Sequence, residues 1–115
     1  MRNLESQLQT ACVTWIRMQH PKECCFSVPN GAKRSIITAS ILKREGAMSG
    51  VADLFLMKAN KDYNGLFIEM KKDTKAKQSP SQKEFQKICI DKGYAYIVIS
   101  SLDDFRELIK NYLEN

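Results

Sequence analysis

Asp53, Glu69 and Lys71 are the residues least at home in their surroundings, and their types are suited to chemistry. Asp53 interrupts an apolar run, Val51-Ala52-Asp53-Leu54-Phe55-Leu56, where strand geometry disfavours aspartate and an unpaired buried charge is costly. In the later run Phe67-Ile68-Glu69-Met70-Lys71, the two-residue period of a strand puts Glu69 and Lys71 on one face and Ile68 and Met70 on the other. If the two runs pair with Asp53 opposite Glu69, two carboxylates stand side by side. That arrangement is repulsive alone and attractive around a divalent cation, which takes hard oxygen ligands. Periodicity does not settle the register. A plainer reading stays open, with Glu69 and Lys71 on a solvated face and Asp53 at a strand end, because E-x-K is common on exposed strands.

Two further polar residues bear on that choice. On a helical wheel Glu5 falls at the edge of the stripe formed by Leu4, Leu8 and Cys12, from where its carboxylate can face a sheet. Gln82 precedes Phe85 by one helical turn. Each also has a purely structural explanation: an acid is favourable in a first helical turn, and Gln82 can close a capping box with Ser79.

The elements that must position these residues follow from periodicity and breakers. Leu4, Leu8, Ala11, Cys12 and Trp15 recur at helical spacing, predicting an amphipathic helix from about Asn3 to Gln19, ended by Pro21. Cys24 to Val28 reads as a short strand stopped by Pro29-Asn30-Gly31. Ser35 to Glu45 reads as a helix before Gly46. Val51 to Met57 and Leu66 to Met70 form a hairpin around the turn formers Asn60, Asp62, Asn64 and Gly65. Ser79 caps a helix with Pro80 in its first position and a buried stripe of Phe85, Ile88 and Cys89. Tyr94 to Ser100 is apolar enough to predict a strand buried on both faces. Ser101 caps a last helix with Leu102, Phe105, Leu108, Ile109 and Tyr112 inward.

A chain of 115 residues suits one domain spanning 1–115, and the element order fits an α/β sandwich around a mixed sheet. The formal charge of +5 and a pI near 9.1 favour a polyanionic partner such as nucleic acid. The lysines of the second half equally suit a solvated face. The 4 cysteines show no C-x-x-C spacing and the single histidine, His20, has no partner placed like a zinc ligand, which argues against structural zinc. No stretch has the apolar length of a signal core or a membrane span. The expectation is a cytoplasmic protein with reduced thiols.

Four segments stand in order along the chain: Pro29-Asn30-Gly31, Gly50-Val51-Ala52-Asp53-Leu54, Phe67-Ile68-Glu69-Met70-Lys71 and Ser79-Pro80-Ser81-Gln82-Lys83-Glu84-Phe85. Together they resemble the VRR-NUC family, the virus-type replication-repair nuclease branch of the PD-(D/E)XK superfamily. The resemblance runs from Glu5 to the strand ending at Ser100. It implies a restriction-endonuclease-like α/β fold with a hairpin-flanked site. Asp53 matches the acid of G-x-x-D, Glu69 and Lys71 the E-x-K pair, Gln82 the glutamine of S-P-x-Q, and Glu5 the acid of the first helix. Ala52 departs from the pattern, standing where many members carry a proline, and the Lys72 to Gln78 loop is richer in lysine than the family leads one to expect.

The activity implied by that resemblance is metal-dependent hydrolysis of DNA phosphodiesters. Asp53, Glu69 and the backbone carbonyl of Met70 would hold Mg2+ or Mn2+, and Lys71 would orient the attacking water. Glu5 would bind a second ion or a metal-bound water, and Gln82 would position the attacking water or Lys71. Arg34, Lys72, Lys75, Lys77 and Lys83 are candidate phosphate contacts. Stand-alone members look like homodimers, which implies a four-way DNA junction as substrate. The alternatives are a flap or nicking nuclease on simpler DNA, and a basic nucleic-acid-binding module with a vestigial site. Divalent-metal binding separates that module from both enzymes.

Overall fold

The computed structural model describes residues 3–29 and 36–115; Arg34, with Asn30, Gly31 and Ser35 of the expectations above, lies outside them. The elements run α1 (Leu4–Gln19), β1 (Cys25–Ser27), α2 (Ile36–Arg44), β2 (Leu54–Leu56), β3 (Leu66–Met70), α3 (Pro80–Asp91), β4 (Ala95–Ile99) and α4 (Leu102–Glu114). This is the order that the sequence predicts. Helix starts are fixed by caps, those at Ser79 and Ser101 as expected. Asn3 Oδ1 accepts from the Ser6 N–H, Ser79 and Gln82 form a reciprocal capping box, and Ser101 accepts from the Asp104 N–H, satisfying donors that a helix start leaves open.

The sheet has the order β1-β2-β3-β4. The first three strands are antiparallel, and β3 pairs with β4 in parallel, as the intervening helix α3 requires. Strand alternation then sorts the side chains between two layers. Leu54, Leu56, Leu66, Ile68, Met70 and Ile99 pack with Cys12 and Ile16 of α1 and Phe105 and Ile109 of α4. On the other face, Ala52 and Tyr96 pack with Phe85 and Cys89 of α3, with Phe67 and Tyr94 against them. The rings of Phe67 and Phe85 meet edge to face at 5.1 Å, a favourable aromatic geometry.

Four expectations change. Ile88, placed on the buried stripe of α3, is 41% exposed. β4 is an edge strand, and Ile97 and Val98 are 39% and 42% exposed. Its continuous apolar run therefore does not mean burial on both faces. Leu4, placed on the inward stripe of α1, is 55% exposed, and Ile16 takes an inward position instead. β2 is shorter than the apolar run that contains it, so Asp53 sits just ahead of the strand rather than inside it.

One close approach locks the start of the hairpin to α3. Gly50 has φ +87°, and a Cβ there would collide with the backbone carbonyl of Ser81 in the first turn of α3. Only glycine satisfies both the left-handed backbone and the contact. Gly50→Ala is therefore expected to lower stability by about 2 to 4 kcal/mol, read from urea unfolding midpoints. An unchanged midpoint would mean that the loop and α3 separate at no cost.

Candidate active site

β1 and β3 end, and β2 begins, at the same end of the sheet, and the charged residues singled out above gather there. The ladder pairs Leu54 with Ile68, and continuing it by one residue sets Asp53 across from Glu69. The backbone carbonyl of Asp53 accepts from the Val28 N–H at 2.9 Å, while its Oδ2 accepts from the Met70 N–H at 2.7 Å. The Asp53 side chain thus prolongs the hydrogen bonding of β3 beyond the backbone ladder. That bond holds its carboxylate in place and answers the question of register.

Glu69 and Lys71 share the face toward α3, as alternation predicts, and neither is solvated: they are 3% and 8% exposed. Gln82, at the start of α3, joins them. Its Oε1 accepts from Lys71 Nζ at 2.8 Å and from the Ser79 N–H at 2.8 Å. Its Nε2 donates to Glu69 Oε2 at 3.0 Å. Two donors on one end and a carboxylate on the other leave a single sensible orientation for the amide. Gln82 is both the capping residue and a site residue. The cap aims the side chain at Glu69 and Lys71.

The remaining oxygen of Glu69, Oε1, is buried with no hydrogen-bond donor. Burial, then the charge of Asp53 and a hydrogen bond shared with its carboxyl, push Glu69 up to about 8. Lys71 pulls it back down and Glu5 adds a further upward push. A carboxylate without a donor, facing a second carboxylate, calls for a proton or a cation in the space between. The donor set therefore fits a hard divalent ion. Among the described residues, no three acid, histidine or cysteine side chains already converge into a metal cage. The acids form a pair, Asp53 with Glu69, and Glu5 is set further out. Glu5 and Asp53 line one cleft of about 550 Å³ along α1.

Lys72, Lys75, Lys77 and Lys83 are all exposed, in the loop after β3 and the first turn of α3. No motif or periodicity points to the contacts that Gln78 makes in the same loop. Gln78 Nε2 donates to Gln86 Oε1 at 3.0 Å and to the Tyr96 hydroxyl at 3.3 Å. This pins the lysine-rich loop to α3 and β4. Burial pushes Tyr96 up to about 12, so its hydroxyl stays neutral. Ala52, the departure noted above, is fully buried against α3. It serves packing and leaves the carboxylates untouched.

A mixed sheet between helices, with an acid ahead of one hairpin strand and an acid and a lysine closing the next, defines a domain of the PD-(D/E)XK nuclease type. The VRR-NUC domain model matches residues 3–103, and the chain belongs to that family. A solved VRR_NUC domain protein superposes with a TM-score of 0.83 at 28% identity, covering 99% of this chain and 91% of the other. A second solved VRR_NUC domain superposes at 0.65 with 19% identity, covering 96% and 99%, and speaks for the fold alone. No curated protein matches the chain at a significant level.

The raised Glu69 makes a pH prediction for the protein in chelator. Between about 4.5 and about 8 the folded state binds the proton more tightly than the unfolded chain does. Stability is then full at the acid end of this window and declines as pH rises through it, by a few kcal/mol at most. Denaturant unfolding at stepped pH should show this decline, and Glu69→Gln should flatten it. An identical slope in the variant would place the titrating group elsewhere.

Proposed function

We propose that this protein is a divalent-metal-dependent DNA endonuclease whose centre is built on Asp53, Glu69 and Lys71. The observation that carries the proposal is the donorless Glu69 Oε1 facing Asp53. A module that only binds nucleic acid gains nothing from holding a second carboxylate against the buried Glu69, whereas a metal site uses both. Asp53 and Glu69, with the backbone carbonyl of Met70, would hold Mg2+ or Mn2+, both suited to oxygen donors. A cation held there would supply polarisation of the scissile phosphate and a lower pKa for the attacking water.

The chain's own residues set the geometry for that chemistry. The Met70 N–H holds one oxygen of Asp53, leaving the other to bind. The Gln82 amide orients Glu69, and its carbonyl holds the Lys71 ammonium where it can position the water and meet the charge that develops on the phosphate. Exposed Lys72, Lys75, Lys77 and Lys83 contact the DNA backbone, with Arg34 as a further candidate, giving affinity without sequence preference. Glu5, which lines the same cleft as Asp53, would serve a second ion or its hydration.

Asp53→Asn and Glu69→Gln should each abolish cleavage while the protein stays folded, because each keeps shape and loses charge. Gln82→Ala should lower the single-turnover rate by about 10- to 100-fold. Lys71→Ala should lose the chemical step yet keep most DNA affinity, one phosphate contact being a small part of the whole. Near-normal cutting by either carboxylate variant would remove the metal centre from the proposal.

The substrate we assign is a four-way DNA junction cut by a homodimer. The support is the sheet edge. Ile97 and Val98 on β4, with Ile88 and Ile90 on α3, are exposed, and Ile90 and Ile97 line one apolar groove of about 520 Å³. An open edge strand with apolar flanks can pair with its own copy about a two-fold axis, which would provide two sites for opposed strands. Light scattering should give a dimer mass, and a cruciform plasmid should be linearised by coordinated cuts. A monomer that cuts flaps efficiently and shows no junction preference would overturn the assignment and leave the nuclease proposal standing.

A further inference from the structure

The cleft that contains Asp53 and Glu5 continues along the outer face of α1 to Arg17. Between them its wall is formed by uncharged hydrogen-bonding side chains, among them Ser6, Gln9 and Thr14. Arg17 is exposed, and among the described residues its guanidinium has no carboxylate partner; the ion pair found there joins Arg106 to Asp103. Its electrostatic neighbour is Cys25. Burial pushes that thiol up to about 11, so it stays neutral and supplies no counter-charge. An arginine with a fork of donors and no acid to occupy it is suited to phosphate.

The length of α1 says how far away that phosphate lies. Glu5 and Arg17 line the same cleft from opposite ends of α1, about 18 Å apart at the helical rise, so the phosphate lies a few nucleotides from the scissile one. The geometry points to Arg17 as a positioning residue. It holds the DNA strand by a phosphate a few nucleotides from the scissile one, along α1 and away from the lysines of the β3–α3 loop. This rests on the nuclease reading for what occupies the centre.

Arg17 also lies in the last turn of α1, where a cation is favourable to the helix itself. The test must separate the two roles. Wild type, Arg17→Gln and Arg17→Lys are titrated with DNA in Ca2+ over a range of salt. The DNA is then varied by neutralising single phosphates as methylphosphonates, position by position. Arg17→Gln should weaken binding by about tenfold at low salt and make the salt slope shallower by about one. Arg17→Lys should restore most of the slope. Neutralising one phosphate, a few nucleotides from the mapped cut, should weaken wild type and have no further effect on Arg17→Gln. Equal affinity of wild type and Arg17→Gln overturns the inference, and so does a loss that adds to every neutralised position alike. If the wild type cuts DNA and no coupling is found, the Arg17 inference fails alone. If coupling to one phosphate is found and no DNA is cut, the nuclease reading fails and the contact stands.

Discussion

The burial of the Glu69 carboxylate is the constraint around which the end of the sheet is arranged. It stands next to the end of β3 and is held from water, with a second carboxylate opposite. Left alone, that pair would swell the site or draw in solvent. It persists because one oxygen is met by the amide of Gln82, Lys71 is close enough to pull against the repulsion, and Asp53 is held by the Met70 N–H. None of these partners satisfies Glu69 Oε1. The surrounding fold is stable enough to hold a local arrangement that is incomplete without a proton or an ion, which is where strain belongs when a site must bind.

Gln82 shows how the fold enforces this. Its side chain reaches the carboxylate because Ser79 caps α3 and holds the first turn, and the turn itself is held against the hairpin start where Gly50 meets Ser81. Helix capping, a left-handed glycine and a metal-type carboxylate are usually treated as separate features. Here they form one mechanical chain: moving α3 away would free Lys71 and Glu69 together. The cap is thus part of the site's rigidity.

Most of the fold was legible in the sequence because it rests on periodicities and breakers that act locally. The capping box at Ser79, the alternation that separates Glu69 and Lys71 from Ile68 and Met70, and the order of elements all read directly. Burial in β4 did not. An apolar run states what a strand can bury, and only topology decides whether a neighbour covers it; Ile97 and Val98 lie on the edge. The carboxylate pairing was left open for a related reason. Asp53 lies outside the regular ladder of β2, and its place is set by a side-chain bond to Met70 that no periodicity encodes. For Gln82 the capping and site readings compete in the sequence; the structure shows the cap formed and the same amide in contact with Glu69 and Lys71. The shared cleft of Asp53 and Arg17 depends on how α1 lies beside β1, which nothing local reports.

Position at the end of the sheet has one more consequence. A side chain in the middle of a strand belongs to one face, and would meet α1 or α3 but not both. Asp53 precedes its strand at the point where the two layers meet. It therefore faces Glu69 and the α3 cap on one side while lining the α1 cleft on the other. The lysine-rich loop leaves this same end of the sheet from β3. A polyanion laid over the end of the sheet can thus touch α1 and the β3–α3 loop at once, with the carboxylate pair between them. On the proposed nuclease reading, acids at the strand ends would let an extended strand of DNA pass across the centre, as ligands do at the open ends of sheets in larger α/β proteins.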